Sequence, residues 1–519
     1  MNILVIRMHR FGDILQVTPM LQGLKQKFPD GSISFLTGSD MTDLISCNPD
    51  VDEVFSIPEK EHRWFLKNRP EQYSRIYNEL YDFLSELRQR NFQLIINRQY
   101  EFGGLVAWLL GAKEIRGGAF SPERGFVFTD DASKELFETV RTERSRNSRN
   151  LVDWGCRIAG VPLGCGEMLF RVPGAARSEA QDLLSRGGAK DDNPLVAVQM
   201  GAARSFRQWG TENYARVIEW LIRERDRRVV LLGSEDERGL AEATVRCLGS
   251  EDDVINLTGK TDFKTLGGVL ERCQYLITGD TGTMHMAASV GTPVLALFYG
   301  TAYPWETGPY GTGHLVLYAD EPCSPCLTPE ECPCGHRCLK AITPRHVCAA
   351  FDIAESMRGE NIQFPAWPDE AVRLFVTRRR SGSDQLLIPV NNCDDREEGL
   401  LPLPARTAAH RPGGDDMESA MRAFSNQRDL LVRRFCLGDR PSFIGAFSEL
   451  VDRLHAAVRC LDGSRHHEET LARELMPTIE EVYTAFQSED FVTVLDIVQY
   501  RLAPVMEGLI RKRRSHGTI

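Results

Sequence analysis

Short, uninterrupted apolar runs recur along this chain at the spacing of strand–helix–strand units, and nothing else in the sequence restricts the fold as tightly. "ILVIR" (3–7), "SISFLTG" (32–38), "EVFSIP" (53–58) and "QLIINRQ" (93–99) are such runs, with helical stretches between them. A strand apolar on both faces belongs in a parallel sheet covered by helices on each side. Near 170–195 the composition changes to "RVPGAARSEAQDLLSRGGAKDDNP", a polar helix between turn residues that reads as a hinge. A second set follows with "LVAVQMG" (195–201), "RVVLLGS" (228–234), "DVINLTG" (253–259), "YLITGD" (275–280) and "PVLALFYG" (293–300). The expectation is two α/β domains, residues 1–175 and 176–358, facing each other across a cleft.

Beyond about Trp367 the alternation stops. "VRLFVTRRRSGSDQLLIPV" suggests a small hairpin, and "NNCDDREEGLLPLPARTAAHRPGGDD" (391–416) has the Pro, Gly and charge content of a linker, so 359–416 is expected to be hairpin and linker. Residues 417–519 show helical spacing, as in Phe443, Phe447, Leu450, Val451 and Leu454, and predict a helical accessory bundle whose apolar faces can pair chains into a homo-oligomer. The net charge of −11 argues against a nucleic-acid binder. No apolar run approaches the ~18 to 20 residues that cross a bilayer, and "MNILVIRMHR" starts a strand at once without a signal peptide's apolar region. A cytoplasmic location is expected.

In an open α/β sheet, ligands bind beyond the carboxyl ends of the strands. Four loops there carry chemistry. "RMHRFGD" brings Gly12 and Asp13 after the first strand, and "GAARSFRQW" (201–209) brings Arg204 and Arg207. "GSEDE" (233–237) brings Glu235 and Asp236, and "GDTGTMHMAASVGTP" (279–293) opens a helix with Asp280, Thr281, Gly282, Thr283 and His285. Helix-start N–H groups and arginines suit a diphosphate. A carboxylate suits ribose hydroxyls, and Asp13 can act as base toward an attacking hydroxyl. Together these residues fit a nucleotide-sugar glycosyltransferase. No D-x-D pair stands in a suitable loop, so arginines are expected in place of a metal, with no cofactor required.

The ordered set R-x4-GD-x5-P (Arg7, Gly12, Asp13, Pro19), R-x-W (Arg207, Trp209), DTG-x2-H (Asp280 to His285), "AASVGTP" and "PWETGPYG" resembles glycosyltransferase family 9, the heptosyltransferases of lipopolysaccharide core assembly. The resemblance covers roughly residues 1–358. It implies a GT-B type fold of two Rossmann-like domains and inverting transfer of heptose from an ADP-activated donor, with Asp13 as base and the second domain holding the nucleotide. It also implies an anionic glycan or lipopolysaccharide-core acceptor, and with it peripheral contact at the inner face of the inner membrane. The family often has lysine where Arg207 stands, and arginine presents a planar fork instead.

Acceptor contacts are expected in "EKEHRWFLKNRPEQY" (59–73) and "RTERSRNSRN" (141–150). The cluster "CSPCLTPEECPCGHRC" (323–338) has metal-ligand spacing; Cys323, Cys326, Cys332 and Cys338 are the candidate ligands of a structural zinc or iron, with packed free thiols the other reading. Some protein-glycosylating relatives look like they bind iron in such a loop. A protein acceptor, as on an autotransporter or flagellum, and a non-catalytic sugar-nucleotide scaffold are the alternative functions.

Overall fold

The computed structural model describes residues 1–390 apart from 63–68, 70–72, 100, 123–124, 143, 191–193, 203–206, 249–252, 327–331, 333, 358–371 and 380–381. Arg204, the expected linker at 391–416 and the expected helical bundle at 417–519 therefore lie outside the described residues. Among the described residues, Met1–Ala119 and those from Phe128 onward belong to one compact unit.

The first sheet contains β1 (Asn2–Ile6), β2 (Ser32–Gly38), β3 (Glu53–Ile57), β4 (Leu94–Asn97), β5 (Glu114–Ser121) and β6 (Gly125–Phe128), in the order β3-β2-β1-β4-β5-β6. β1 is central and parallel to both neighbours, with Val5 opposite Phe35 and Ile96. Ile3 to Ile6 are completely buried, which is why "ILVI" carries no polar alternation.

The second sheet contains β7 (Leu195–Gln199), β8 (Arg228–Leu232), β9 (Val254–Asn256), β10 (Tyr275–Gly279), β11 (Val294–Phe298), β12 (Leu315–Ala319), β13 (Val372–Arg378) and β14 (Leu386–Pro389). Its order is β14-β13-β12-β11-β10-β7-β8-β9. The hairpin expected as a separate piece at 359–416 is instead the edge of this sheet. β13 pairs antiparallel with β12, setting Val376 against Leu315 and Leu374 against Leu317, and all four side chains are buried. Burial of that apolar row is what draws the hairpin in.

Strand order reverses between β1 and β4 in one sheet and between β7 and β10 in the other, which opens a crevice at the carboxyl ends of both. The helix Leu151–Ala159 ends on Gly160 in the left-handed region, and the chain then crosses to the second sheet's helices, where Phe170 N donates to Ser289 O at 3.1 Å. Ile3, Trp154, Phe170, Met284 and Phe298 belong to one apolar core that runs through both halves. Among the described residues no helix is long and apolar enough to cross a membrane.

Candidate active-site cleft

A cleft of about 1280 Å³ separates the two sheets' carboxyl ends, and residues of both halves line it. On the first wall, β1 runs into α1 (Phe11–Leu15) through Arg10, held at φ 63. Positive φ in a residue other than glycine is uncommon and marks a constrained turn. Asp13 follows in the first turn of α1, and its carboxylate accepts from the guanidinium of Arg7, which also donates to Arg98 O. Arg7 thus fixes the orientation of Asp13 from the strand end.

Gly12 is needed for the approach of the second wall. A Cβ there would lie 2.7 Å from His285 Cδ2 and 3.2 Å from Gly282 Cα. Reciprocally, a Cβ on Gly282 would lie 2.3 Å from the ring of Phe11, which packs on Phe263 with centroids 5.1 Å apart. Two glycines thus let α1 touch the start of the helix Gly282–Ser289. That helix begins at Thr281, whose side chain caps no N–H, so its first backbone donors are free of a capping partner. Thr281 Oγ1 instead lies 3.1 Å from Thr278 Oγ1.

His285, on the same helix, is 5% exposed, and its Nε2 lies 3.3 Å from Gln16 Nε2. Burial lowers its pKa to about 4, with the nearby Asp13 carboxylate opposing, so the ring is neutral at pH 7. Its Nδ1 is buried and has no hydrogen-bond partner among the described residues. Asp280 lies 3.6 Å from Arg207 Nη1; burial raises its pKa and Arg207 counters that. Arg207 also donates from Nε to Thr301 Oγ1 at 2.7 Å. Trp209, the other residue of R-x-W, anchors this loop by donating from Nε1 to Ile342 O at 2.7 Å.

Asp13, Gly12, Arg207, Asp280, Thr281, Gly282, Thr283 and His285 all line the one cleft. Glu235 and Asp236 are not among its lining residues; they are exposed, and Glu235 pairs with Arg238 at 2.7 Å. Glu237, which the sequence reading passed over, does line it. Its carboxylate accepts from Ser234 N at 2.8 Å and lies 3.4 and 3.5 Å from Gln199 Nε2. The signal was available, because Ser234 and Glu237 have capping-box spacing, which turns the third acidic side chain back toward the strand end.

In the stretch 141–150, where acceptor contacts are expected, Arg144 lines the cleft and, with Arg149, ties the two halves together. Arg144 donates to both Glu306 oxygens, at 2.7 and 3.1 Å, and to Thr301 O at 2.9 Å. Arg149 donates to Asp384 at 2.8 Å. In the stretch 59–73, Glu59 meets His9 at 2.8 Å and Lys60 donates to Asp40 at 2.6 Å. Of the cysteine cluster, Cys326 and Cys338 are buried, Cys332 is half-buried and Cys323 is exposed. Burial and neighbouring thiols raise Cys323 to about 11, and burial raises Cys338. Among the described residues no group of three or more His, Cys, Asp or Glu is arranged to hold a metal.

A family model described as glycosyltransferase family 9 (heptosyltransferase) matches residues 81–336. Lipopolysaccharide heptosyltransferase 3 of Escherichia coli is 25% identical over 306 residues, covering 57% of this chain and 84% of the relative. The structure of a family 9 glycosyl transferase from Veillonella parvula DSM 2008 superposes with a TM-score of 0.56 at 22% identity, covering 68% of this chain and 96% of that one. For ADP-heptose lps heptosyltransferase II of E. coli the TM-score is 0.51 at 20% identity, covering 69% of this chain and 99% of that one. These likenesses give the fold as GT-B. With cleft, fold and sequence in agreement, the chain belongs to glycosyltransferase family 9 and is a glycosyltransferase of the heptosyltransferase type.

Proposed function

We propose that the protein transfers a heptose from ADP-heptose to a hydroxyl of a lipopolysaccharide-core or related anionic surface glycan, with inversion at the anomeric carbon. The observation that carries this reading is that Asp13 and the uncapped start of the helix Gly282–Ser289, with Arg207 beside it, line one cleft from opposite walls. The relatives' names, lipopolysaccharide heptosyltransferase and ADP-heptose lps heptosyltransferase, supply the donor and acceptor class.

In this mechanism the acceptor oxygen attacks the anomeric carbon, the bond from that carbon to the diphosphate breaks, and the acceptor proton passes to Asp13. The leaving diphosphate gains negative charge, which Arg207, Arg204 and the N–H groups of 281–283 would meet. Glu237 is better placed than Glu235 or Asp236 for the ribose hydroxyls, because it alone of the three lines the cleft. Residues 1–175 would hold the acceptor and 176–358 the donor.

The test incubates purified protein with a panel of ADP-, UDP-, GDP- and CMP-sugars, in excess EDTA, with core glycan or with candidate acceptor proteins, and reads the nucleotide released. Release of ADP with growth of the glycan is expected. Release of another nucleotide would overturn the donor, and modification of protein alone would overturn the acceptor class. Binding of ADP-heptose without any turnover would favour a non-catalytic scaffold.

A further inference from the structure

Two thiols outside the cleft face each other. Cys156, on the helix Leu151–Ala159, is fully buried, and Cys165, in the loop that leaves Gly160, is half-buried. Their sulfurs are 3.8 Å apart. Neither lines the cleft.

Cys165 rests against α2 (Thr18–Lys27), which follows α1 after two residues. Its Sγ lies 3.3 Å from Pro19 O, and a Cβ on Gly23 would lie 2.5 Å from it. Around this contact, α2 is stitched to the loop by Gln22 Nε2 to Glu167 O at 2.7 Å, Gln26 Nε2 to Cys165 O at 2.9 Å and Lys27 Nζ to Gly160 O at 2.7 Å. An S–S bond is about 2.05 Å long. Closing the gap requires one sulfur to move, and Cys156 sits on a helix packed in the core. Cys165 is the one able to shift, and shifting takes it off Pro19 and Gly23.

We propose that Cys156 and Cys165 are a redox modification site, which hydrogen peroxide converts to a disulfide that draws the loop 160–167 off α2. The hydrogen bond from Cys156 lowers the pKa of Cys165, helped by the Arg379 guanidinium, and the same bond together with burial raises Cys156. Cys165 is therefore the attacking thiolate and Cys156 the resolving thiol. The thiolate attacks one peroxide oxygen, the O–O bond breaks and hydroxide leaves, giving a sulfenic acid. The Cys156 sulfur then attacks Cys165 Sγ, the S–O bond breaks, and water leaves with the Cys156 proton. Two thiols and one peroxide give one disulfide and two waters.

The site does not depend on the identity of donor or acceptor. In the test, the full chain is treated with hydrogen peroxide, alkylated and digested with trypsin, which cuts after Arg149, Arg157 and Arg171. The expected product links peptides 150–157 and 158–171 by a disulfide, about 2 Da lighter than the two thiols and reversed by a dithiol. Amide exchange along α2 should rise roughly tenfold on oxidation, and neither change should occur in Cys165→Ser or Cys165→Ala. The proposal is overturned if both peptides remain alkylated at a dose that oxidises the exposed Cys247 and Cys323. It is equally overturned if the cross-link forms and α2 exchange is unchanged.

Discussion

Asp13 stands on the first wall of the cleft with its carboxylate oriented by Arg7, and the proposed chemistry asks it to take one proton. Asp13→Asn keeps the shape and removes the base, so kcat should fall by ~10² to 10⁴ while ADP binding measured by calorimetry is unchanged. Turnover near the wild-type rate would sink the assignment. Arg207 reaches both Thr301 and Asp280 and lies beside the open helix start. Arg207→Ala should weaken ADP binding by about 1.5 to 3 kcal/mol, the scale of a hydrogen bond to a charged group; equal affinities in the two proteins would remove the contact. His314 is a structural counterpart to His285, since its Nδ1 accepts from Val294 N at 3.2 Å and burial lowers its pKa from 6.5 to about 4. With the folded value depressed, the unfolded chain takes up the proton first as pH falls. Stability is thus intact above pH 6.5 and lost on going down to about 4, by up to about 3 kcal/mol for this group. Asp153, raised by burial to about 6, acts in the opposite direction between 3.8 and 6, so the comparison needs a variant. His314→Gln should lose less stability than wild type between pH 7 and 4.5 in denaturant titrations, and parallel losses would rule the histidine out.

The contact between α1 and the helix Gly282–Ser289 depends on two missing side chains. In Gly282→Ala the new methyl would meet the Phe11 ring, which Phe263 confines on its other side. Overpacking of this kind costs about 1 to 3 kcal/mol. Because one ring is responsible, Phe11→Ala should relieve most of the cost, so a double-mutant cycle on unfolding free energies should show strong coupling. Additive effects would mean that the strain arises elsewhere. The same reasoning places the open N–H groups of that helix next to Asp13, since any side chain at position 12 would hold the two walls apart.

Arg144 and Glu306 form one of the links between the two halves. Glu306 is 5% exposed and both its oxygens accept from Arg144, so removing the arginine leaves a buried charge without its partner. Breaking such a pair costs about 3 to 5 kcal/mol. Arg144→Ala should destabilise the protein on that scale and raise KM for donor and acceptor together. Arg144→Ala with Glu306→Gln should recover part of the stability, because the uncompensated charge is gone. A loss below about 1 kcal/mol in the single variant would show that the pair does not clamp the halves.

The element types and the order of the chemistry along the chain are legible in the residues alone. Fully buried parallel strands must be apolar on both faces, so "ILVI" and "LVAV" declare themselves, and a strand followed by small polar residues at 279–283 marks a helix start suited to an anion. Local spacing also carries Asp13 and His285, since each lies within a turn or two of a strand end. The partners that neighbouring residues take are set by packing. Glu235, Asp236 and Glu237 are equally acidic in sequence, yet the turn geometry sends the third into the cleft and leaves the first to Arg238. Arg144 and Arg149 show only their charge in sequence, and folding brings Glu306 and Asp384 from the other half to meet them. The hairpin at β13 and β14 looks independent until β12 offers an apolar row of matching register. Strand and helix periodicity is written by nearby residues, whereas ion pairs, sheet edges and glycine contacts join residues far apart in the chain, and only the packed structure selects among them.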